Sequence, residues 1–283
     1  MYPNEEDVKM KTTTVIKGER MKHEPLLKRG LLAASLAAVL GFPAGSAMAA
    51  EGINSDADGI LRSMSNYLAG TKAFSVSADI SNEVMTTTGQ KLQLNSHSDV
   101  LMERPSRFHA TRHGKFADAE LFYDGAMLTL YGKTLNAYVQ EDLKGSTDDA
   151  IRVLELGTGL GLPGADLLLS DPYTALTSGV TSSGYYGKAY VGGVETHHLA
   201  FRTPKVDWQI WVKAGDEPLP MKYVITTKWM TGAPQYSVQL SNWNTKPVIA
   251  SSRFKFVAPK GADKLEALPV DETGEITDKQ ESK

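Results

Sequence analysis

Apolar and polar residues alternate most clearly between Val206 and Val224, and this pattern predicts a long β-hairpin. A two-residue period is typical of a strand that is buried on one face. The alternating apolar residues of the two predicted strands are Trp208, Ile210, Val212, Met221, Tyr223, Ile225 and Trp229. The segment Gly215–Pro218 between them has the residues of a turn. A hairpin with so many aromatic residues needs an apolar cover, which the protein's own helices, a partner or a hydrophobic ligand would supply.

Before the first strands, the period changes to that of an amphipathic helix over residues 54–68. Its apolar face consists of Ile53, Ala57, Ile60, Leu61, Met64 and Leu68. Ser55 and Asp58 are predicted to form a capping box, and Gly70 is predicted to end the helix. A single apolar stripe means that this helix packs against another element.

Strand patterns occupy most of the remaining chain. The other predicted strands are 74–80, 92–102, 108–113, 116–123, 127–131, 136–141, 181–191, 194–202, 234–242 and 252–257. A leucine-rich insert over residues 146–176 interrupts them. It is predicted to contain a helix from Ser146 or Thr147 to Leu156 and short helical pieces after it. This order predicts a mainly β (α+β) fold, in which a strongly curved antiparallel sheet forms an unclosed β-barrel and helices act as plug or lid.

The first 49 residues are predicted to lie outside the folded domain. Residues 21–49 combine a basic start, the apolar run Leu31–Phe42 and the small residues Ala47 and Ala49, which is typical of a cleaved signal peptide. The alternative is an uncleaved membrane anchor, but the apolar run is short for a membrane span. Residues 1–20 are polar and patternless and are interpreted as an overextended start. These features predict a periplasmic protein with one domain over residues 50–263 and a disordered acidic tail over 264–283.

Composition excludes several classes of function. The chain has no cysteine, so disulfides, cysteine metal sites and thiol nucleophiles are excluded, as is a lipid attached to cysteine. The net charge is −3 and the predicted domain has no basic cluster, which argues against a nucleic-acid partner. No cofactor is predicted.

The segment Val153–Gly161 resembles the glycine-rich motif of S-adenosylmethionine-dependent methyltransferases. That motif needs alternating strands and helices after it, whereas meandering strands follow here. A helix end with glycines and a loop is therefore the preferred interpretation.

Histidines and carboxylates supply the remaining candidates for chemistry. His109 with His113, and the adjacent pair His197 and His198, could bind a metal, but no carboxylate cluster accompanies them and exposed polar-face histidines are preferred. Three carboxylates that could act as acid and base are Asp118, Glu120 and Asp124. Such groups are also common on a solvated strand face, and no nucleophile-elbow motif is present.

The aromatic excess on consecutive strands has two interpretations. The residues are an ordinary core beneath the helices, or they line a concave apolar face that holds lipid. Trp208 and Trp211 place large rings on both faces of one predicted strand, and a single layer of helices covers only one face.

Three segments resemble the periplasmic lipoprotein carrier and receptor superfamily of the LolA/LolB/RseB type, and more closely a family of predicted periplasmic proteins of unknown function. They are Glu103–Phe108 with its Arg-Pro step, the turn and strand of Asp207–Lys222, and the closing Phe254–Ala262. The resemblance implies an unclosed barrel with helices on its open side and acyl chains in the cavity between them. It also implies that Arg104 helps to hold the lid.

Together, these features predict a non-enzymatic periplasmic protein that binds a hydrophobic ligand, a lipid or acyl chain, in a half-barrel cavity, as a carrier would. The predicted ligand-binding residues are Trp208, Ile210, Val212, Tyr223, Trp229, Tyr236, Phe254, Phe256 and Arg104. The alternative is an envelope sensor that uses the same fold to contact a membrane protein. A hydrolase or metal enzyme is the least supported hypothesis.

Overall fold

A computed structural model describes residues 52–86, 88–114, 118–158 and 162–267. The predicted overextended start, the predicted signal peptide over 21–49 and most of the predicted tail lie outside these residues. None of the described helices combines the length and the apolar character that a membrane span requires.

Across the described ranges, twelve strands form one sheet that does not close on itself. They are β1 (Ala73–Met85), β2 (Lys91–Glu103), β3 (Arg107–Gly114), β4 (Ala119–Tyr123), β5 (Met127–Gly132), β6 (Ala137–Asp142), β7 (Ser182–Val191), β8 (Val194–Arg202), β9 (Val206–Lys213), β10 (Pro220–Thr227), β11 (Gln235–Asn244) and β12 (Asp263–Lys264). Their order is β12-β6-β5-β4-β3-β2-β1-β11-β10-β9-β8-β7. Neighbours are antiparallel, except that β12 runs parallel to β6. The predicted fold class, a strongly curved and unclosed barrel, is confirmed.

The described helices are α1 (Ser55–Gly70), α2 (Thr147–Thr158) and α3 (Pro172–Thr177), with short 3-10 helices at Ala165–Leu168 and Ser251–Phe254. The predicted position of α1 is confirmed, but its cap is Asn54, whose side chain accepts from Ala57 N at 2.9 Å. Asn and Ser are equally good N-cap residues, so the sequence alone does not decide whether Asn54 or Ser55 caps the helix. α2 begins after Ser146, which exchanges hydrogen bonds with Asp149 as in a capping box.

The two faces of the sheet differ in character. The face toward α1, called here the helical face, carries apolar side chains such as Phe74, Val76, Trp208, Ile210 and Leu240, all less than 9% exposed. The opposite face, called here the polar face, carries residues such as Asp79, His97, Lys222, Ser237 and Gln239. This alternation is the expected result of a period of two along each strand.

The predicted last strand over residues 252–257 is wrong. After β11 the chain crosses the polar face, and Phe254 lies in a 3-10 helix packed beside β3. Phe256 contacts the rings of Phe122, Tyr131 and Tyr138 at 4.8–5.5 Å between centroids. A segment that runs across strands cannot form a ladder of hydrogen bonds with them, so the two phenylalanines act as anchors.

Candidate functional site

The central hairpin is covered by the protein's own helix. Trp208, Ile210 and Val212 on β9 are 3%, 0% and 0% exposed, and α1 packs against β7, β8 and β9. The Trp208 ring stacks on Phe201, with centroids 4.0 Å apart, and meets Tyr223 edge-on at 5.7 Å. These predicted ligand-binding residues therefore belong to the hydrophobic core beneath α1.

Beyond the strands that α1 covers, the helical face remains apolar, and part of it is less well covered. Five side chains there are only partly buried, and they are called here the apolar wall: Ile80, Val100, Leu121, Ile225 and Tyr236. Register brings them into one area, because Ile80 lies beside Val238 and Tyr236 lies opposite Ile225. Of the wall residues, sequence reasoning named only Tyr236 as a ligand contact.

The leucine-rich insert is tied to the sheet at the start of α2. Thr147 donates from both its backbone N and its Oγ1 to the carbonyl oxygen of Pro105, at 2.8 and 3.0 Å. Tyr123 Oη donates to the carbonyl oxygen of Gly145 at 2.8 Å. Asp148 accepts from Ser170 N at 2.9 Å, which joins α2 to the segment before α3. The insert is thus held at one end of the strands.

Further along, the insert contacts the apolar wall at Tyr236. A Cβ at Gly164 would lie 3.7 Å from Tyr236 Oη, so the chain at Gly164 sits against the ring. Leu167 is buried in the core and Leu168 packs against it. At Gly164 the insert therefore covers part of the wall.

Polar groups are embedded among these apolar residues. Burial and the negative charge of Glu155 raise the pKa of Asp166. Burial raises the pKa of Tyr223, and it raises that of Tyr236 to about 12. Arg112 lies on the same face and donates from Nε to Ser96 Oγ at 3.2 Å. An apolar area with a few polar groups is typical of a small-molecule site.

Arg104 lies at the base of the insert. Its Nε and Nη2 atoms are buried, and within the described part of the chain they have no hydrogen-bond partner. Burial lowers the pKa of Arg104, and the negative charge of Asp148 opposes this effect. A guanidinium group with two unpaired donors is a costly arrangement in a protein interior.

Three other predicted ligand-binding residues lie elsewhere. Phe254 and Phe256 are on the polar face, as described above. Trp229 follows the end of β10 and is 70% exposed in the turn to β11. The structure therefore brings Trp208, Ile210, Val212, Tyr223 and Tyr236 together on the helical face and leaves these three apart from them.

On the polar face, the histidines have contrasting surroundings. His97 Nδ1 lies 2.7 Å from Asp79 and its Nε2 lies 3.6 Å from Asp99. His109 is largely covered rather than exposed as predicted, stacks on Phe122 at 4.3 Å and lies 3.1 Å from Glu120. The segment that crosses the polar face covers it.

These surroundings predict opposite titration shifts. The hydrogen bond with Asp79 raises the pKa of His97 above its usual 6.5, whereas burial lowers that of His109. His97 therefore stabilises the fold below pH 6.5, and this contribution is lost as the pH rises through its folded-state pKa. His109 has the opposite sign, because stability falls as the pH drops below 6.5. NMR titration of the imidazole signals measures both values, and the pKa of His97 is expected to be higher than that of His109. Asp79→Asn is expected to lower the pKa of His97 only. Equal pKa values for both rings would contradict the prediction.

All three candidate carboxylates are engaged by neighbouring groups of the protein. Lys133 Nζ lies 2.6 Å from Glu120 and 3.9 Å from Asp118. Asp124 accepts from two backbone amides in the turn before β5. In the described ranges, no group of three or more histidines and carboxylates is arranged to hold a metal ion.

A match to a protein-family model shows which family the chain belongs to. Residues 57–268 match the family described as predicted periplasmic protein (DUF2092). The chain belongs to this family. The match covers nearly all of α1 and all twelve strands, so the predicted resemblance to a family of periplasmic proteins is confirmed. No curated protein matches the chain.

Solved structures are similar to this chain at low identity. An uncharacterised conserved protein from Thermus thermophilus is 11% identical over 75% of this chain and 99% of its own, with a TM-score of 0.44. MucB is 14% identical over 73% of this chain and 65% of its own, with a TM-score of 0.44. A LolA superfamily protein from Nitrosomonas europaea is 9% identical over 71% and 97%, with a TM-score of 0.37. These values concern the general fold and assign no activity.

Proposed function

We propose that this DUF2092 protein binds a hydrophobic ligand, a lipid or acyl chain, between the apolar wall and the leucine-rich insert, without catalysing a reaction. The observation that supports the proposal is the incomplete cover of the helical face. Where α1 packs, side chains such as Ile210 are fully buried, whereas Ile80, Val100 and Ile225 keep part of their surface exposed. Exposed apolar area costs about 25 cal/mol per Å², and an apolar ligand would remove that cost.

The position of the polar groups favours an amphipathic ligand. Arg112 lies on β3, two residues before its end at Gly114, and Asp166 lies in the insert. A ligand with an acyl chain along the wall would have an anionic end near Arg112. Tyr236 would then contact the ligand, while the buried side chains of Trp208, Ile210, Val212 and Tyr223 would support the wall from beneath.

Ligand content is the direct test. Native mass spectrometry of protein purified from cell envelopes is expected to detect a lipid that co-purifies with the chain, and a fluorescent fatty acid is expected to bind with a stoichiometry near one. An empty protein that also ignores the fluorescent fatty acid would overturn the proposal.

A double variant locates the site. Ile80→Thr together with Ile225→Thr keeps β-branched residues in both strands while adding two hydroxyl groups to the wall. The loss of apolar contact is expected to weaken fatty-acid binding roughly tenfold. The matched control is Val248→Thr, since Val248 is fully exposed on the other side of the sheet. Equal affinity in the double variant and the control, with equal urea midpoints, would place the ligand elsewhere.

A further inference from the structure

The turn between β10 and β11 exposes two large apolar side chains. Trp229 is 70% exposed and Met230 is 40% exposed. Turns usually present small or polar residues to water, so two adjacent exposed apolar residues at a tip need an explanation. Both residues follow the end of β10 at Thr227, and neither is among the described residues that form the core or pack against it.

Two neighbouring turns pack against this one and form a single surface with it. Lys228 N donates to the carbonyl oxygen of Lys205 in the β8–β9 turn at 3.0 Å. On the other side, a Cβ at Gly232 would lie 3.0 Å from the sulfur of Met85, at the start of the β1–β2 turn. The tip surface is defined by Met85, Lys205, Lys228, Trp229 and Met230.

More basic than acidic residues lie on and beside the three turns. The charged residues on and beside the three turns are the cations Lys91, Arg202, Lys205 and Lys228 and the carboxylates Glu83 and Asp207. Lys91 lies 3.1 Å from Glu83, and Asp207 lies 2.8 Å from Lys228 and 3.1 Å from Arg202. The local excess is thus positive, although the whole chain has a net charge of −3.

We propose that the tip surface docks the protein on a lipid bilayer that contains anionic headgroups. An indole ring, a thioether and lysines side by side match the interface of a bilayer, where tryptophan partitions at headgroup depth and lysine meets lipid phosphates. The size of the patch favours a bilayer over a protein, because a stable protein interface buries about 800 Å² on each partner. Two side chains on a turn do not provide that area, but they are enough to insert into a membrane surface.

The tip surface also has a defined relation to the apolar wall. Ile225 and Tyr236 are paired residues of β10 and β11, and the turn that carries Trp229 connects these two strands at the same end. Docking through Trp229 would therefore bring this end of the wall toward the bilayer. The inference does not depend on ligand binding by the wall, since it rests on the exposure and charge of the turns alone.

Vesicle binding tests the inference. Purified protein is sedimented with vesicles of phosphatidylglycerol and phosphatidylcholine in equal parts, and with vesicles of phosphatidylcholine alone. Stronger binding to the anionic vesicles is expected. The double variant Trp229→Ser with Met230→Ser is expected to bind them roughly tenfold less or weaker still, because each buried apolar side chain contributes to partitioning. Lys205→Glu is expected to weaken binding to the anionic vesicles only.

The matched control is Tyr190→Ser, which removes another exposed aromatic side chain, 71% accessible, from the opposite end of the strands. Its vesicle binding should equal that of the wild type. The inference would be overturned if the wild type did not bind the anionic vesicles, or if the double variant bound them equally well. Binding to native membranes but not to protein-free vesicles would also overturn it and would indicate a protein partner. Native mass spectrometry of the double variant separates the two proposals, since its lipid content should not change.

Discussion

Replacement of Trp208 by alanine is expected to lower the free energy of unfolding by about 3–5 kcal/mol. The indole is 3% exposed, stacks on Phe201 and lies in the layer that α1 covers. Alanine would leave a cavity between β9 and the helix, and the surrounding side chains would close it only in part. Urea denaturation followed by circular dichroism measures the change from the shift in midpoint.

Trp229→Ala is the matched control, because the same chemical change is made at a side chain that is 70% exposed. Its effect on unfolding is expected to stay within about 0.5 kcal/mol, as for most surface substitutions. If Trp208→Ala were as mild as Trp229→Ala and instead abolished fatty-acid binding, Trp208 would be a ligand contact and not a core residue.

Arg104→Met is expected to change stability in the opposite direction, with a gain of about 1–3 kcal/mol in the free energy of unfolding. The variant removes two buried donor groups that have no partner among the described residues, while the methionine fills much of the same volume. It also removes the attraction to Asp148, which limits the gain.

The same variant is expected to bind the fluorescent fatty acid less tightly. An unpaired buried cation that is costly in the folded chain is reasonable if it holds the base of the insert, which covers part of the wall. Arg104→Lys serves as control, since it keeps a charge but not the planar group. A large loss of stability in Arg104→Met would contradict the prediction and indicate that the guanidinium has partners in solution.

Much of the fold was predictable because its periodicity is strong. The hairpin of β9 and β10 and the helix α1 lie within a few residues of their predicted positions. Apolar residues recur regularly over at least two helical turns in α1 and over four alternations in the hairpin. In both, residues typical of loops mark the ends. The segment with Phe254 and Phe256 has the same alternation over only two residues, which also suits an anchor that crosses a sheet.

The candidate site was less predictable, for a physical reason. Ile80 and Trp208 both alternate with polar residues on long strands, so the sequence pattern assigns them the same role. Their difference in exposure depends on what packs over each position: α1 packs against β9, which carries Trp208, whereas Ile80 is only partly buried. Arg104 was found only through the resemblance of the Arg-Pro segment, because a lone arginine carries no periodic signal.

The pairing of β1 with β11 at the centre of the sheet constrains how the chain can fold. β1 contains residues 73–85 and β11 contains residues 235–244, so the two ends of the domain meet in the middle of the sheet. Bringing β1 and β11 together closes a loop of most of the domain, which is slow because the entropy is lost before the contacts between the strands stabilise the fold. A chain synthesised from its N-terminus would therefore keep one edge of β1 and one edge of β10 unpaired until β11 follows.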